Sequence, residues 1–315
     1  FFAACVTSLC MGTSVGTIIA LMPIAAGLAE RTEIALPIIA AAVVGGAFFG
    51  DNLSFISDTT IVSTQSQGCK LSDKFRFNIR MVLPMAIIAG LIYVFLGSEA
   101  TDVVTADTIS FWKVIPYLMV LICATLGMNV LVVLVIANIL TCITGIIGGS
   151  YDFMGWITST LEGVMGMSEL ILISMLAGGI FAMISHNKGM DYMIERITSR
   201  VKHRWGAELS ICALVAFANI CTANNTIAIL SVGDISRRIS ERFGIDPRRS
   251  ASLLDTTSCC VQGLLPYGAQ LLMASGLAGI SAMSIVPYLY YPILIGVAVL
   301  ATIFIRHKRN AVKSN

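Results

Sequence analysis

Charged side chains are scarce in this chain of 315 residues: they make up 12% of the sequence, against about 25% in a soluble globular domain. Hydrophobic residues reach 57%, where a soluble domain has about 45–50%. The mean hydropathy is +0.86. This composition excludes an ordinary soluble protein and indicates a chain that is embedded in lipid.

The residues that usually build metal centres and active sites are also sparse. Histidine occurs three times, and the nine cysteines show no Cys-x-x-Cys spacing, so we interpret the cysteines as helix-packing residues. The sequence has no Gly-rich phosphate loop, no metal-ligand cluster and no pairing of a nucleophile with a base. We therefore predict that the protein is not an enzyme.

Long apolar runs dominate the chain, and a transmembrane helix needs about 20 such residues. They predict an all-α polytopic membrane protein whose clearest spans are 81–97, 111–127, 130–149, 169–185, 207–221 and 283–305. By the positive-inside rule, we expect four basic segments to face the cytoplasm: 70–80, 188–204, 237–249 and 306–313.

One apolar run, 207–234, joins two of these basic segments, so it must cross the membrane an even number of times or not at all. A re-entrant hairpin or two half-helices broken at 221–226 would satisfy this condition. Two short ordinary helices are the alternative.

Segment 50–60 (GDNLSFISDTT) places two carboxylates, an amide and four hydroxyls between apolar stretches. A carboxylate near the bilayer centre costs about 2.5–3.5 kcal/mol, and a bound cation would offset that cost. The segment therefore predicts a cation site in a membrane transporter. Simple N-capping by Asp51 or Asp58 is the alternative.

A weak internal repeat supports this prediction. Segments 12–21 and 221–230 share small and hydroxyl residues followed by aliphatic ones, and each precedes an Asp-rich motif, at Asp51 and Asp255 respectively. Repeats with interrupted helices mark transporter sites at the repeat interface. We expect an inverted-repeat secondary transporter with broken or re-entrant helices, in which Asp51, Asp58 and Asp255 come together.

The repeat predicts three parts of the chain. Residues 1–149 form a first repeat, truncated at its N-terminus, with linking helices. Residues 150–205 hold an interfacial segment, a transmembrane helix and a basic amphipathic linker, and residues 206–315 form the second repeat.

Oxygen atoms are the donors that hard cations prefer. We expect Na⁺ at Asp51, Asp58 and Asp255. The predicted cation and proton site as a whole comprises Asp51, Asn52, Ser54, Ser57, Asp58, Thr59, Thr60, Thr222, Asn224, Asn225, Asp255, Thr257 and Gln262. An ion pair of Asp255 with the nearby Arg249 is the alternative for that carboxylate. We expect no lysine or arginine inside the apolar core.

The motif at 50–60 resembles that of the NhaC-type sodium/proton antiporter family, within the superfamily of inverted-repeat ion transporters. Segments 255–258 (DTTS) and 264–268 (LLPYG) are similar to the family's second-repeat counterpart. Tyr267 replaces the usual Trp, and Phe55 replaces a common Pro. Neither change removes a ligand.

The resemblance implies a multi-pass protein of the bacterial inner membrane that exchanges cytoplasmic Na⁺ for external H⁺ at a shared carboxylate. It implies no cofactor beyond the transported ions and no nucleic-acid partner, with lipid as its surroundings and a homodimer left open. Two alternatives are a malate/lactate exchanger coupled to Na⁺ and H⁺, and a membrane scaffold without transport.

Overall fold

The computed structural model describes residues 1–32, 34–97, 115–116, 119, 122–123, 130–166, 168–189, 192, 195–196, 201 and 203–313. Within these ranges every extended regular element is a helix. The α-helices in chain order are α1 (Phe2–Met11), α2 (Ser14–Arg31), α3 (Leu36–Leu53), α4 (Asp58–Gln67), α5 (Leu71–Gly97), α6 (Val130–Ile147), α7 (Phe153–Gly166), α8 (Ser168–His186), α9 (Arg204–Thr222), α10 (Asn225–Arg242), α11 (Pro247–Leu264), α12 (Ala269–Ala278), α13 (Ala282–Ile285) and α14 (Tyr290–Lys313).

Several of these helices are long and apolar enough to cross a membrane. In the described ranges five stretches qualify, and a sixth does if a pair bent by 101° counts as one span. They are Ser14–Arg31, Leu36–Gln67, Leu71–Gly97, Arg204–Thr222 and Tyr290–His307, with Pro247–Ala278 and Ala282–Tyr288 as the bent pair. The protein is therefore an all-α, multi-pass membrane protein, as the sequence predicted.

The predicted spans agree only in part with these helices. Segments 81–97, 207–221 and 283–305 fall in or overlap with membrane-crossing helices, whereas most of 111–127 and of the basic segment 188–204 lies outside the described residues. The clearest predicted spans did not include α2 or the α3–α4 stretch, which are also long and apolar enough to cross a membrane. The break predicted at 221–226 is present between α9 and α10.

The helix ends recur with a constant spacing along the chain. Gly12 ends α1 in the left-handed backbone region, and Ala223 ends α9 in the same way, 211 residues later. The same 211-residue interval separates the start of α3 from that of α11, the start of α4 from that of α12, and Gly68 from Gly279, which end α4 and α12.

Side-chain contacts recur at the same interval. Ser8 Oγ donates to Ala47 O at 2.6 Å, and Asn219 Nδ2 donates to Ser258 O at 2.7 Å. Each pair ties the helix before a break to the long helix that packs beside it. One helical plan is thus built twice, from α1–α5 and from α9–α14.

The two halves pack against each other. α4 contacts α10 and α11, α12 contacts α2, and α5 contacts α11 and α14. One apolar cluster is centred on α1–α3 and continues into α12–α14, and a second is centred on α9–α11. The breaks of both halves are held inside this shared structure.

α1 lies very close to α3 because two glycines face it. A Cβ on Gly46 would lie 2.6 Å from Phe1 O, and a Cβ on Gly50 would overlap with Ser8. Small residues four apart let two helix backbones approach in this way.

We expect Gly50→Ala to cost about 1–3 kcal/mol of stability, because the added methyl group overpacks the α1–α3 contact. Unfolding in detergent micelles measures the loss. Gly27→Ala is the matched control: Gly27 also lies in a helix and its Cβ would meet nothing within 4 Å. The control should gain about 0.5–1 kcal/mol, and equal behaviour of the two variants would contradict the proposed contact.

A buried ion pair closes one end of the second half. The Arg249 guanidinium lies 3.1 Å from Glu208 Oε2 and donates to Thr302 Oγ1 at 3.0 Å, joining α11 to α9 and α14. Both charged side chains are almost fully buried. The sequence analysis placed Arg249 in an exposed basic segment and expected no arginine in the core, which is wrong. Because the carboxylate that pairs with Arg249 lies 41 residues away, only the tertiary structure reveals it.

Arg249→Met should destabilise the protein by about 3–5 kcal/mol, because it leaves the Glu208 carboxylate buried without its counter-ion. The double variant Glu208→Leu, Arg249→Met should recover most of this loss. Arg237, which pairs with Glu241 at the surface, is the control, and Arg237→Ala should have little effect. A double variant no more stable than Arg249→Met would contradict this account.

Candidate cation site

A cavity of about 160 Å³ lies where four helix breaks meet, two from each half. Its lining residues come from the ends of the interrupted helices: Gly12, Thr13, Ser14, Val15, Asp51, Ser57, Asp58, Thr59, Ala223, Asn224, Asn225, Thr226, Gln262, Ala269 and Gln270. Irregular backbone at membrane depth is tolerated where it lines a cavity of this kind.

The helix ends that face the cavity are mainly N-terminal. The first residues of α2, α4, α10 and α12 all line it: Ser14, Asp58, Asn225 and Ala269. Helix N-termini carry partial positive charge and unpaired N–H groups, so they favour negative charge nearby. The sequence could not tell which ends converge.

Two carboxylates supply that negative charge. Asp51 lies in the last turn of α3 with 4% of its surface exposed, and its Oδ1 accepts from the Ser14 N–H at 3.1 Å. Asp58 is the first residue of α4 and is exposed, although it lines the cavity. Neither aspartate occupies an N-cap position of its own helix, because Ser57 precedes α4 in that position. Asp51 instead contacts the N-terminus of α2, across the chain.

The opposite wall is formed by amides. Gln262 lies 211 residues after Asp51, at the corresponding place in the second half. Its Nε2 donates to Ala223 O at 2.8 Å and to Gln270 Oε1 at 2.9 Å, and Gln270 Nε2 donates to Ser14 Oγ at 3.1 Å. This chain of hydrogen bonds joins the two halves through the cavity wall.

One oxygen of the amide wall has no hydrogen-bond partner in the structure. Gln262 is 1% exposed, and its Oε1 is buried and unpaired. A buried carbonyl oxygen without a partner is costly. A cation in the cavity could use this oxygen together with the Asp51 carboxylate.

Hydroxyl groups fix the backbone at the α3–α4 break. Thr59 and Thr60 donate from Oγ1 to Asp51 O at 3.1 and 3.0 Å. Ser54 donates to Leu9 O at 2.9 Å, and the hydroxyls of Ser57 and Thr59 lie 3.0 Å apart. These hydroxyls replace the hydrogen bonds that the interrupted helix lacks, so Asp51 is held in a defined position.

Of the other predicted residues discussed next, Asn224 also lines the cavity, whereas Thr222, Asn52 and Thr257 do not. Thr222 and Asn224 close the α9–α10 break: Thr222 Oγ1 donates to Asn224 O, and Asn224 Oδ1 accepts from the Ile227 N–H. Asn52 donates to Phe48 O and to Tyr291 Oη. Thr257 Oγ1 is buried without a partner.

Asp255 does not line the cavity that Asp51 and Asp58 share. It lies in the middle of α11 with no exposed surface and forms an ion pair with Lys74 of α5. The described residues contain no group of three His, Cys, Asp or Glu side chains that could hold a metal ion. Among the described residues the three carboxylates thus do not form one ligand cluster: Asp51 and Asp58 line the cavity, and Asp255 pairs with Lys74.

Lys74 also corrects the prediction of a core without lysine. Its basic neighbours on the 70–80 segment suggested a cytoplasmic loop, but the side chain points into the protein and is fully buried. The alternative pairing of Asp255 with Arg249 is wrong too, because Arg249 pairs with Glu208. The lysine could be found only from the contact between α5 and α11.

Eight residues of the cavity lining were not in the predicted site, and two of them, Ser14 and Gln270, are joined by a side-chain hydrogen bond between the halves. Ser14 lies inside the repeated segment 12–21, so the repeat could have indicated that it belongs to the site. No sequence pattern indicates Gln270, because it is a single amide at the start of an apolar helix.

Comparison with known proteins identifies the family of this chain. Residues 1–98 and 99–306 match the model of the Na⁺/H⁺ antiporter family. The chain belongs to this family. Its relatives are transporters and not enzymes, in agreement with the sequence prediction.

Three curated relatives align with most of the chain. The Na⁺/H⁺ antiporter NhaC of Alkalihalophilus pseudofirmus is 23% identical over 89% of this chain and 66% of its own length. NhaC of Bacillus subtilis is 21% identical over 92% of the chain and 71% of its own length. The malate-2H⁺/Na⁺-lactate antiporter of Bacillus subtilis is 20% identical over 94% and 70%.

We expect Ala223→Gly to stabilise the protein by about 1 kcal/mol, because Ala223 has a φ of +50° and a non-glycine residue in this region costs about 1–2 kcal/mol. Glycine occupies the corresponding position 12. Thermal unfolding in detergent measures the gain. Ala26→Gly, inside α2, is the control and should lose about 1 kcal/mol. A loss of stability in both variants would contradict the strain at Ala223.

Proposed function

We propose that this protein exchanges Na⁺ for H⁺ across a bacterial inner membrane, with Asp51 as the shared binding group. The observation that carries the proposal is the position of Asp51: a buried carboxylate on the wall of a cavity formed by four helix breaks. Membership of the Na⁺/H⁺ antiporter family supports the choice of ions.

The chemistry of the exchange follows from the burial of this carboxylate. A charged carboxylate in a poorly solvated site is unfavourable, and either a bound proton or a bound Na⁺ removes the uncompensated charge. Both cannot bind the same oxygens at once, so loading Na⁺ releases the proton. The empty, charged site is the least stable form in which the protein can change its access from one side of the membrane to the other. The site therefore changes sides with either Na⁺ or H⁺ bound, and the two ions are exchanged.

The wall residues supply the remaining oxygen ligands in this proposal. Ser57, Asp58, Thr59, Asn225 and the unpaired Gln262 Oε1 face the same cavity as Asp51. Carboxylate, hydroxyl and amide oxygens suit a hard cation such as Na⁺. We assign a supporting role at the helix breaks to the predicted residues Asn52, Ser54, Thr60, Thr222, Asn224 and Thr257.

The repeated helix spacing suggests how access alternates. The cavity lies between the two halves, which we assign to 1–149 and 206–315 with 150–205 as a connecting part. Rocking of one half against the other would open the cavity to each side in turn. From this function we infer that the two halves have inverted orientations in the membrane. We also infer that Na⁺, H⁺ and lipid are the only partners that the protein requires.

One observation favours a second function, the exchange of small carboxylates. Four helix N-termini line the cavity, and N-termini attract anions. A relative of this chain carries the name of a malate-2H⁺/Na⁺-lactate antiporter. Against it, the Asp51 and Asp58 carboxylates already lie beside these N-termini and would repel a carboxylate substrate.

Asp51→Asn should reduce exchange to the level of empty vesicles, because an amide carries no charge for Na⁺ and does not bind a proton. Full-length protein is reconstituted in vesicles with an internal pH dye, and Na⁺, Li⁺, K⁺ and malate are added separately. Asp234→Asn is the matched control: Asp234 is exposed on α10, and its loss should change the rate by about twofold at most. Proton movement that requires malate would favour the carboxylate exchanger.

The pH dependence gives an independent check of a shared site. If Na⁺ and H⁺ compete, the half-saturating Na⁺ concentration should rise by up to about tenfold for each unit by which the pH falls, below the pKa of the site. The maximal rate at saturating Na⁺ should fall much less. A half-saturating concentration independent of pH would exclude competition at one carboxylate.

A further inference from the structure

The Lys74 ammonium occupies a small chamber made of oxygen atoms. Its Nζ donates to Asn52 O at 3.0 Å, to Thr60 Oγ1 at 2.8 Å and to Asp255 Oδ2. All three N–H donors of the ammonium are used, and no part of the side chain is exposed. A lysine so completely enclosed is rare in proteins.

A carboxylate, a hydroxyl and a backbone carbonyl are also the ligands that a hard cation selects. The same residues carry further unused acceptors, because Asp255 Oδ1 and Asn52 Oδ1 are buried without a partner. The ammonium thus stands where an alkali cation could bind, and two oxygens remain for which the lysine has no donor.

The chamber is connected to the cavity site by one hydroxyl group. Thr60 Oγ1 contacts Lys74 Nζ at 2.8 Å and donates to Asp51 O at 3.0 Å. The ammonium also binds Asn52 O, the carbonyl that follows Asp51 in the chain. A movement of Lys74 must therefore disturb the break that positions the Asp51 carboxylate.

The repeat-related junction between the two halves shows that the fold does not require this ion pair. By the constant 211-residue interval, Lys74 corresponds to Ile285 and Asp255 corresponds to Val44. Ile285 and Val44 are both fully buried in one apolar cluster, where α13 packs on α3 as α5 packs on α11. The two equivalent junctions between the halves are thus closed in different ways, one by an ion pair and the other within an apolar cluster that contains Val44 and Ile285.

Energetics point in the same direction. Removing two charges from water is expensive, and replacing a buried ion pair by well-packed apolar residues is often neutral or stabilising. The Val44 and Ile285 junction is such a replacement within one chain. A purely structural role does not explain why the α5–α11 junction has charges.

We propose that Lys74 is a built-in competitor for the transported cation. In the cation-free state its ammonium neutralises Asp255 and holds the α3–α4 break. A cation that enters from the cavity displaces the ammonium from Asp255. The released lysine no longer holds the α3–α4 break, so the two halves of the protein can move. Lys74 is a positioning residue, and this role rests on the proposed cation exchange.

The first variant, Lys74→Ile with Asp255→Val, gives the α5–α11 junction the residues of the apolar α3–α13 junction. It should fold and unfold like the wild type, because the same pair of side chains already closes the corresponding junction. Its cation exchange should fall to background. Exchange close to the wild-type rate would overturn the proposal, because the ion pair would then be a structural contact only.

The second variant, Lys74→Gln, removes the competitor and keeps Asp255. We expect the half-saturating Na⁺ concentration to fall by about tenfold or more, because Na⁺ no longer has to displace an ammonium from Asp255. A tenfold change corresponds to about 1.4 kcal/mol of binding free energy. The maximal rate should fall. A merely structural lysine predicts weaker Na⁺ binding or none. An unchanged or raised half-saturating concentration would overturn the proposal even if the double variant fails to fold.

Two comparisons separate this inference from the proposed function. Wild-type exchange in vesicles tests the function, and Asp51→Asn tests the cavity. The role of the lysine is tested by comparing the exchange rate and the half-saturating cation concentration of each Lys74 variant with those of the wild type. These are measured with whichever of Na⁺, Li⁺ or K⁺ the wild type moves. Arg249→Lys at the other buried pair is the control: it should change stability and leave the half-saturating cation concentration near that of the wild type.

Discussion

The constraint on which the rest of this structure depends is that backbone N–H and C=O groups must find partners inside a membrane. A helix satisfies them by itself, and a broken helix does not. Each break must therefore be closed by side chains and neighbouring backbone, as Thr59 and Thr60 close the end of α3 and Asn224 closes the start of α10. Gathering four breaks around one cavity concentrates these polar groups in a single place.

The charges follow from that arrangement. Helix N-termini at the cavity make an aspartate at position 51 tolerable, since the Ser14 N–H and the partial charges of four helices compensate it in part. Among the described residues, the other buried charges occur as close pairs, Lys74 with Asp255 and Arg249 with Glu208. Both pairs join helices that are far apart in sequence. The interior of the protein therefore depends on a few contacts between α5, α9, α11 and α14.

Much of this could be predicted from the sequence because lipid restricts the choices. Composition identified a helical membrane protein, and the polar segments 50–60 and 221–226 indicated two of the four breaks, while segment 12–21 was identified as part of the repeat. Asp51 and Asp58 were correctly placed at one break. The prediction failed where a residue's environment is set by a distant helix. Lys74 and Arg249 belong to basic segments typical of cytoplasmic loops, yet α11 buries the first and α9 the second.

The sequence by itself determined the class of the protein, the positions of the helix breaks and the presence of aspartates beside them, because hydropathy and local hydrogen-bonding capacity are properties of short segments. Only the tertiary structure decided that four helix N-termini face one cavity, that Gln262 stands opposite Asp51, and that Asp255 is held by a lysine. Those facts depend on how helices pack, and packing joins residues as much as 256 positions apart, as in the contact between Ser14 and Gln270.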